Sequence, residues 1–125
     1  MNTTVLLVDD HAQTLKLAGD VLAHAGHHVH RAASGEEALV QAANDWPALV
    51  LLDIQLPGID GLETLARLRA QAQDRALKVI AMTASVTLAD RARLEQAGFD
   101  AFLAKPFSVK TLRELVRREL GEAPA

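Results

Sequence analysis

Short apolar runs alternate with stretches of helical period along the chain. The apolar runs cover about residues 4–8, 28–32, 47–53, 77–83 and 100–105. The helical stretches cover about residues 12–25, 34–44, 61–72, 88–98 and 108–120. Continuously apolar strands between amphipathic helices are typical of a parallel sheet that is covered on both faces. The pattern therefore predicts one α/β domain with a flavodoxin-like, doubly wound fold: five parallel strands in the order 2-1-3-4-5, with five helices.

Composition excludes several classes of protein. A length of 125 residues fits one domain, and a net charge of -3 with scattered basic residues argues against a nucleic-acid surface. No apolar stretch is long enough to span a membrane, and Asp9 and Asp10 come too early for a signal peptide. The chain has no cysteine, which excludes disulfides and thiolate chemistry. We therefore expect a cytoplasmic protein.

Polar side chains follow the predicted strands where each strand ends. Asp9 and Asp10 follow the first strand, Asp53 ends the third, Thr83 ends the fourth and Lys105 follows the fifth. The carboxyl ends of parallel strands meet at one edge of the sheet, so these side chains should lie close together. A lone buried carboxylate would cost several kcal/mol, but Asp53 is predicted to reach an open polar rim instead.

This set of charges predicts a metal site. Three carboxylates and Lys105 sum to about -2, and two like charges 4 Å apart repel by about 4 kcal/mol at an effective dielectric constant of 20. Hard oxygen ligands, completed by water, suit Mg²⁺ better than Ca²⁺ or zinc. Lys105 and Thr83 would then meet a further anion. Such a site suits phosphoryl transfer in which a carboxylate is the nucleophile.

Four short motifs resemble those of a known family. They are VDD at 8–10, DIQLPGIDG at 53–61, MTA at 82–84 and FLAKPF at 102–107. In order and spacing they are similar to the receiver domain of bacterial response regulators, over residues 1–125. The resemblance implies a CheY-like version of the flavodoxin-like fold. It also implies a phosphorylation-activated switch in a two-component phosphorelay.

The resemblance implies a role for each residue at the strand ends. Asp53 would be the phosphoacceptor, receiving the phosphoryl group from a sensor histidine kinase or a histidine phosphotransfer protein. Asp10, Asp53 and the backbone carbonyl of Gln55 would bind Mg²⁺ directly, with Asp9 contributing through a water molecule. Lys105 would pair with the phosphoryl oxygens. The protein would catalyse only its own phosphorylation and dephosphorylation, without turning over a separate substrate.

The same resemblance implies a switch and an output surface. Thr83 would move its hydroxyl onto the phosphoryl group, and Phe102 would rotate inward behind it. Gln55 and Ser85 would tune how long the phosphorylation lasts, and the bond before Pro106 is usually cis in this family. The face formed by the fourth helix, fifth strand and fifth helix would contact a downstream protein, without direct contact to nucleic acid or membrane.

The sequence fits two other functions of similar α/β folds less well. A metal-dependent phosphatase with an aspartyl nucleophile usually has a second acid two residues later, where this chain has Gln55. A flavin carrier needs an anion-binding loop after the first strand, and Asp9 and Asp10 would repel its phosphate. Two further alternatives are a receiver excised from a larger response regulator or hybrid kinase, and a receiver that binds partners independently of phosphorylation.

Several conspicuous residues have simpler interpretations. The histidines of HAGHHVH, at 24–30, suggest zinc, but they flank a helix end and lie on an edge strand, with no cysteine or paired acid expected nearby. We therefore predict that they are solvated surface histidines. His11 is predicted to border the mouth of the acidic cluster, and Asp60 to cap the third helix. Trp46 is predicted to lie at the opposite end of the sheet from the cluster.

Overall fold

The computed structural model describes residues 3–84 and 87–121, and in this part of the chain strands and helices alternate as predicted. The strands are β1 (Thr4–Val8), β2 (His28–Ala32), β3 (Leu49–Asp53), β4 (Lys78–Thr83) and β5 (Ala101–Ala104). The helices are α1 (Ala12–His24), α2 (Gly35–Asn44), α3 (Gly61–Ala72), α4 (Leu88–Ala97) and α5 (Val109–Glu119).

The five strands form one parallel sheet in the order β2-β1-β3-β4-β5, which confirms the predicted topology. Apolar residues of α2, α3 and α4 pack on one face of the sheet, and those of α1 and α5 pack on the other. β3 is buried at all of its positions because strands lie on both sides of it and helices cover both of its faces. This double coverage explains why its sequence is continuously apolar up to Asp53.

Side-chain caps begin four of the helices. Asp60 accepts a hydrogen bond from the Glu63 N–H at 2.9 Å, which confirms its predicted role as the cap of α3. Ser34 caps α2 in the same way through the Glu37 N–H, at 3.1 Å. The Glu37 carboxylate bonds back to the Ala33 N–H. Each cap satisfies an amide that the first turn of a helix leaves without a partner.

Gly61 lets α3 begin directly against the end of β3. A Cβ atom at this position would lie 2.5 Å from the Ile54 Cα and 2.6 Å from the Asp53 carbonyl oxygen, closer than real Cβ atoms approach. Its N–H donates to the Ile54 carbonyl at 2.9 Å. The glycine therefore holds the loop after Asp53 against the carboxyl edge of the sheet.

None of the helices in residues 3–84 and 87–121 is both long enough and apolar enough to cross a membrane.

Candidate functional site

Asp9, Asp53 and Lys105 meet at the carboxyl edge of the sheet, as predicted. β1 and β3 are neighbours, with Val8 opposite Leu52, so the residues that end these strands are delivered side by side. Lys105 comes from the loop after β5, and its N–H donates to the Thr83 carbonyl at 2.9 Å. The bond between Lys105 and Pro106 is cis, in agreement with the resemblance.

Lys105 bridges two carboxylates. Its Nζ lies 2.6 Å from Asp9 Oδ2 and 3.0 Å from Asp53 Oδ2. Asp9 is 0% exposed and Asp53 is 4% exposed, whereas the lysine side chain keeps 21% of its surface in contact with solvent. Two carboxylates at this depth need a cationic partner, and Lys105 supplies it.

His11, in the loop after β1, makes three further carboxylate contacts. The N–H and ring Nδ1 of His11 both lie 2.9 Å from Asp9 Oδ1, and the same ring nitrogen lies 3.4 Å from Asp10 Oδ1. His11 is mostly exposed, so it borders the cluster as predicted. Its direct contact with Asp9 was not predicted, although a side chain two residues after a buried acid is well placed to reach it.

The pKa values of the two buried carboxyl groups shift in opposite directions. Burial raises the pKa of Asp53, and hydrogen bonds from the Gln55 N–H and Lys105 only partly offset this. Burial also acts to raise the pKa of Asp9, but hydrogen bonds from Lys105 and His11 outweigh it and bring this pKa below its ordinary value. The fold therefore favours the charge of Asp9 and disfavours that of Asp53.

The pKa values of Lys105 and His11 respond to the same carboxylates. Burial acts to lower the pKa of Lys105, but its bonds to Asp9 and Asp53 outweigh this and raise it. The hydrogen bond to Asp9 and the charge of Asp10 raise the pKa of His11. Because the pKa of Lys105 is raised above its already high ordinary value, the lysine keeps its proton through the neutral range.

The cluster opens into a cleft of about 470 Å³. Asp10, Asp53, Gln55, Thr83 and Lys105, all predicted site residues, line it. Asp90 and Arg93 of α4 also line the cleft, and neither was predicted. Their spacing of three residues places them on one face of α4, and α4 follows the strand that ends in Thr83, which is the signal that could have identified them.

The donor atoms of this cleft suit a hard divalent cation. Asp9, Asp10, His11 and Asp53 each offer a ligand atom, and these atoms lie within 4.8 Å of one another. Three of the four donors are carboxylate oxygens, the type that Mg²⁺ prefers. Asp10 is the carboxylate that faces solvent most, so a partly hydrated ion could reach it from the cleft. The residues therefore fit Mg²⁺.

Thr83 and Phe102 lie on the same face of the sheet. Ala81 pairs with Phe102 and Thr83 pairs with Ala104, so the threonine and the phenylalanine are diagonal neighbours on adjacent strands. Phe102 is half-buried and packs against the core on the α3 and α4 side. The predicted tuning residue Ser85 lies outside the described residues.

The histidine-rich segment lies at the other end of the sheet, because His28 is paired with Thr4 at the start of β1. The expectation that no paired acid lies near these histidines is wrong. Asp45, directly after α2, places its Oδ2 2.8 Å from His30 Nε2 and 3.8 Å from His28 Nε2.

Residues 5–117 match the model of the response regulator receiver domain family. The polar-differentiation response regulator DivK of Brucella ovis is 37% identical over 123 residues, which cover 98% of this chain and all of the relative.

Solved structures share the fold. The chemotaxis protein CheY4 of Vibrio cholerae superposes with a TM-score of 0.89 at 27% identity, over 95% of this chain and 99% of that one. A putative response regulator from Chloroflexus aurantiacus gives 0.88 at 35% identity, over 98% and 100% of the two chains.

Proposed function

Because the chain belongs to the response regulator receiver family and is a phosphorylation-activated switch of a two-component signalling system, we propose that Asp53 is its phosphoacceptor. One observation carries this proposal. Asp53 lines an open cleft, bonded to Lys105 on one carboxylate oxygen and to the Gln55 N–H on the other. Asp9 is more deeply buried and does not line the cleft, so a phosphoryl donor in the cleft meets Asp53 rather than Asp9.

Asp53 acts as a nucleophile in the proposed transfer. A carboxylate oxygen attacks the phosphorus atom of a phosphohistidine on a sensor kinase or a histidine phosphotransfer protein. The new P–O bond forms as the P–N bond breaks, and the departing imidazole nitrogen keeps the bonding electron pair. The product is an aspartyl-phosphate, so the chain changes its own covalent state and does not turn over a separate substrate.

Asp10, Asp53, the Gln55 carbonyl and, through a water molecule, Asp9 are the proposed Mg²⁺ ligands. The ion would neutralise part of the negative charge that builds up on the phosphoryl oxygens. Lys105 already lies 3.0 Å from Asp53 Oδ2, so its ammonium group is placed to pair with an oxygen of a phosphoryl group on that side chain. The buried, paired Asp9 holds the lysine in this position.

Thr83 and Phe102 are the proposed switch. Thr83 lines the cleft, which places its hydroxyl to donate to a phosphoryl oxygen, and Phe102 is its diagonal neighbour on the adjacent strand. Movement of Thr83 toward the phosphoryl group would leave space that Phe102 fills. A phosphoryl group that contacts Thr83 in only one of the two arrangements shifts the population toward it. Gln55 and Ser85 are proposed to tune the lifetime.

The surface of α4, β5 and α5 is the proposed output site. The proposed switch residue Phe102 lies on β5 within this surface, and Leu88 at the start of α4 is 85% exposed, so its side chain is available to a partner. We propose a downstream protein as the partner there, a sensor histidine kinase or phosphotransfer protein as the donor, and the cytoplasm as the compartment.

Intact-protein mass spectrometry tests the phosphoacceptor directly. The wild-type chain is incubated with acetyl phosphate or phosphoramidate, with and without Mg²⁺, beside Asp53→Ala and the exposed control Asp74→Ala. We expect a gain of roughly 80 Da, one phosphoryl group, in the wild type and the control only when Mg²⁺ is present. Asp53→Ala should show no gain.

Two results would overturn this assignment. An equal mass gain in Asp53→Ala would place the phosphoryl group on another residue. A folded wild type that gains no mass from either small donor, or from a phosphorylated histidine phosphotransfer domain, would indicate a receiver that binds its partners independently of phosphorylation.

A further inference from the structure

We propose that His28, His30 and Asp45 form a second metal site, for a zinc-like transition metal ion, at the opposite end of the sheet from Asp53. This site is independent of the proposed phosphorylation. Three ligand atoms from these residues lie within 4.8 Å of one another. The set differs in chemistry from the acidic cleft, because two of its three donors are imidazole nitrogens, which suit zinc, copper or nickel better than magnesium.

The fold brings the three residues together for a specific reason. His28 and His30 are two positions apart on edge strand β2, so both side chains point to the same face. Ala32 continues this row and packs in the core on the α2 side. α2 ends at Asn44. The next residue, Asp45, places its carboxylate beside the two histidine rings.

The two contacts of Asp45 lie near the ligand separation around a tetrahedral ion. Ligand atoms placed about 2.0–2.1 Å from a zinc ion lie about 3.3 Å from one another. Asp45 Oδ2 lies 2.8 Å from His30 Nε2 and 3.8 Å from His28 Nε2, so a shift of about 0.5 Å in each contact would reach that separation. The two rings are already edge to face, with centroids 4.8 Å apart.

The surroundings favour a cation and leave a coordination position open. Asp45 lies at the carboxyl end of α2, where the helix dipole places partial negative charge and where the last turn contains no basic residue. A bound cation offsets both charges. All three side chains are at least partly exposed, so solvent or a fourth ligand can complete the coordination shell.

Asp45 provides the sharpest test, because it lies fifteen residues after His30 in the sequence and reaches it only in the folded protein. Zn²⁺ alone is titrated by calorimetry into the wild type, His28→Gln, His30→Gln and Asp45→Asn, while the ring resonances of His28 and His30 are followed by NMR. We expect each substitution to weaken Zn²⁺ binding at least about tenfold. The two rings should shift together in the wild type.

Two matched controls separate this site from other zinc ligands. His24→Gln removes an exposed histidine of the same segment, and Asp10→Asn removes a carboxylate of the acidic cleft. In both variants, Zn²⁺ should still shift the ring resonances of His28 and His30, and should bind there with the wild-type affinity. Three results would overturn the site: no binding in the wild type, loss of binding in Asp10→Asn alone, or unchanged binding in Asp45→Asn, which would indicate a histidine pair acting without the folded contact.

Discussion

Lys105 contacts two carboxylates that the fold treats differently. Asp9 accepts hydrogen bonds from the lysine at 2.6 Å and from His11, and its pKa is lowered. Asp53 accepts fewer hydrogen bonds, which only partly offset the effect of burial, and its pKa is raised. The charge of Asp9 therefore contributes stability to the folded state, whereas the charge of Asp53 reduces it.

Asp9→Asn should destabilise the protein. At pH 7 and without Mg²⁺ we expect the free energy of unfolding to fall by about 1–3 kcal/mol, because Lys105 loses its closer partner while remaining largely buried. A carboxyl group with a lowered folded pKa contributes its full stability above its ordinary value of 3.8, and loses it as the pH falls below that value. Urea unfolding at pH 7 and at acidic pH measures the difference.

Asp53→Asn should have the opposite effect, an increase of about 1 kcal/mol at pH 7 without Mg²⁺. A carboxyl group whose folded pKa is raised binds its proton more tightly in the folded state, so stability decreases as the pH rises from 3.8 through the folded pKa. The gain over wild type should therefore vanish in acid. Saturating Mg²⁺ should reduce it, because the ion stabilises only the wild-type carboxylate.

The exposed control Asp74→Asn should unfold like the wild type under both conditions. Equal destabilisation by Asp9→Asn and Asp53→Asn would show that the two carboxylates share Lys105 evenly, contrary to the opposite pKa shifts.

At the scale of elements, periodicity predicts strands well where both faces are buried. β1 and β3 begin and end within two residues of their predicted bounds, because nearly every side chain in them is buried and apolar. Helix ends follow from caps that are local in sequence, such as Asp60 and Gly98. α1 ends at His24, one residue before its predicted end, and Ala25 is exposed.

Contacts between elements that are distant in sequence were harder to predict. Asp45 meets His30 because α2 packs back over β2, and no local pattern encodes where the chain leaves that helix. The contribution of Arg93 to the cleft depends on the placement of α4, which has one buried residue to fix that placement. The strand-end residues were predictable because the topology alone brings them together.

α4 should be the least protected of the three helices α3, α4 and α5. Leu94 is its only buried residue, whereas α3 buries five residues and α5 buries three. Fewer buried contacts lower the free energy of local opening, so the central amides of α4 should exchange with solvent at least about tenfold faster than those of α3. Hydrogen exchange followed by NMR tests this, and equal protection factors would contradict it.

The whole molecule has two chemically distinct ends. Asp53 and its partners occupy the carboxyl edge of the sheet, while Trp46 lies before the start of β3 at the opposite edge. The indole N–H donates to the Ala76 carbonyl at 3.3 Å, and the Arg75 guanidinium lies 3.9 Å from the centre of a tryptophan ring. The full length of β3 therefore separates this environment from the cleft.

Trp46 emission should consequently report unfolding but not occupancy of the cleft. Adding Mg²⁺ and a phosphoryl analogue should leave the intensity and wavelength of the emission nearly unchanged, because such a ligand contacts neither Arg75 nor Ala76. Unfolding in urea should change both the intensity and the wavelength. A matched probe, Trp46→Phe combined with Phe102→Trp, places the indole beside the proposed switch and should respond to the same addition. A large change in Trp46 emission, with the fold intact, would show that the two ends of the sheet are coupled.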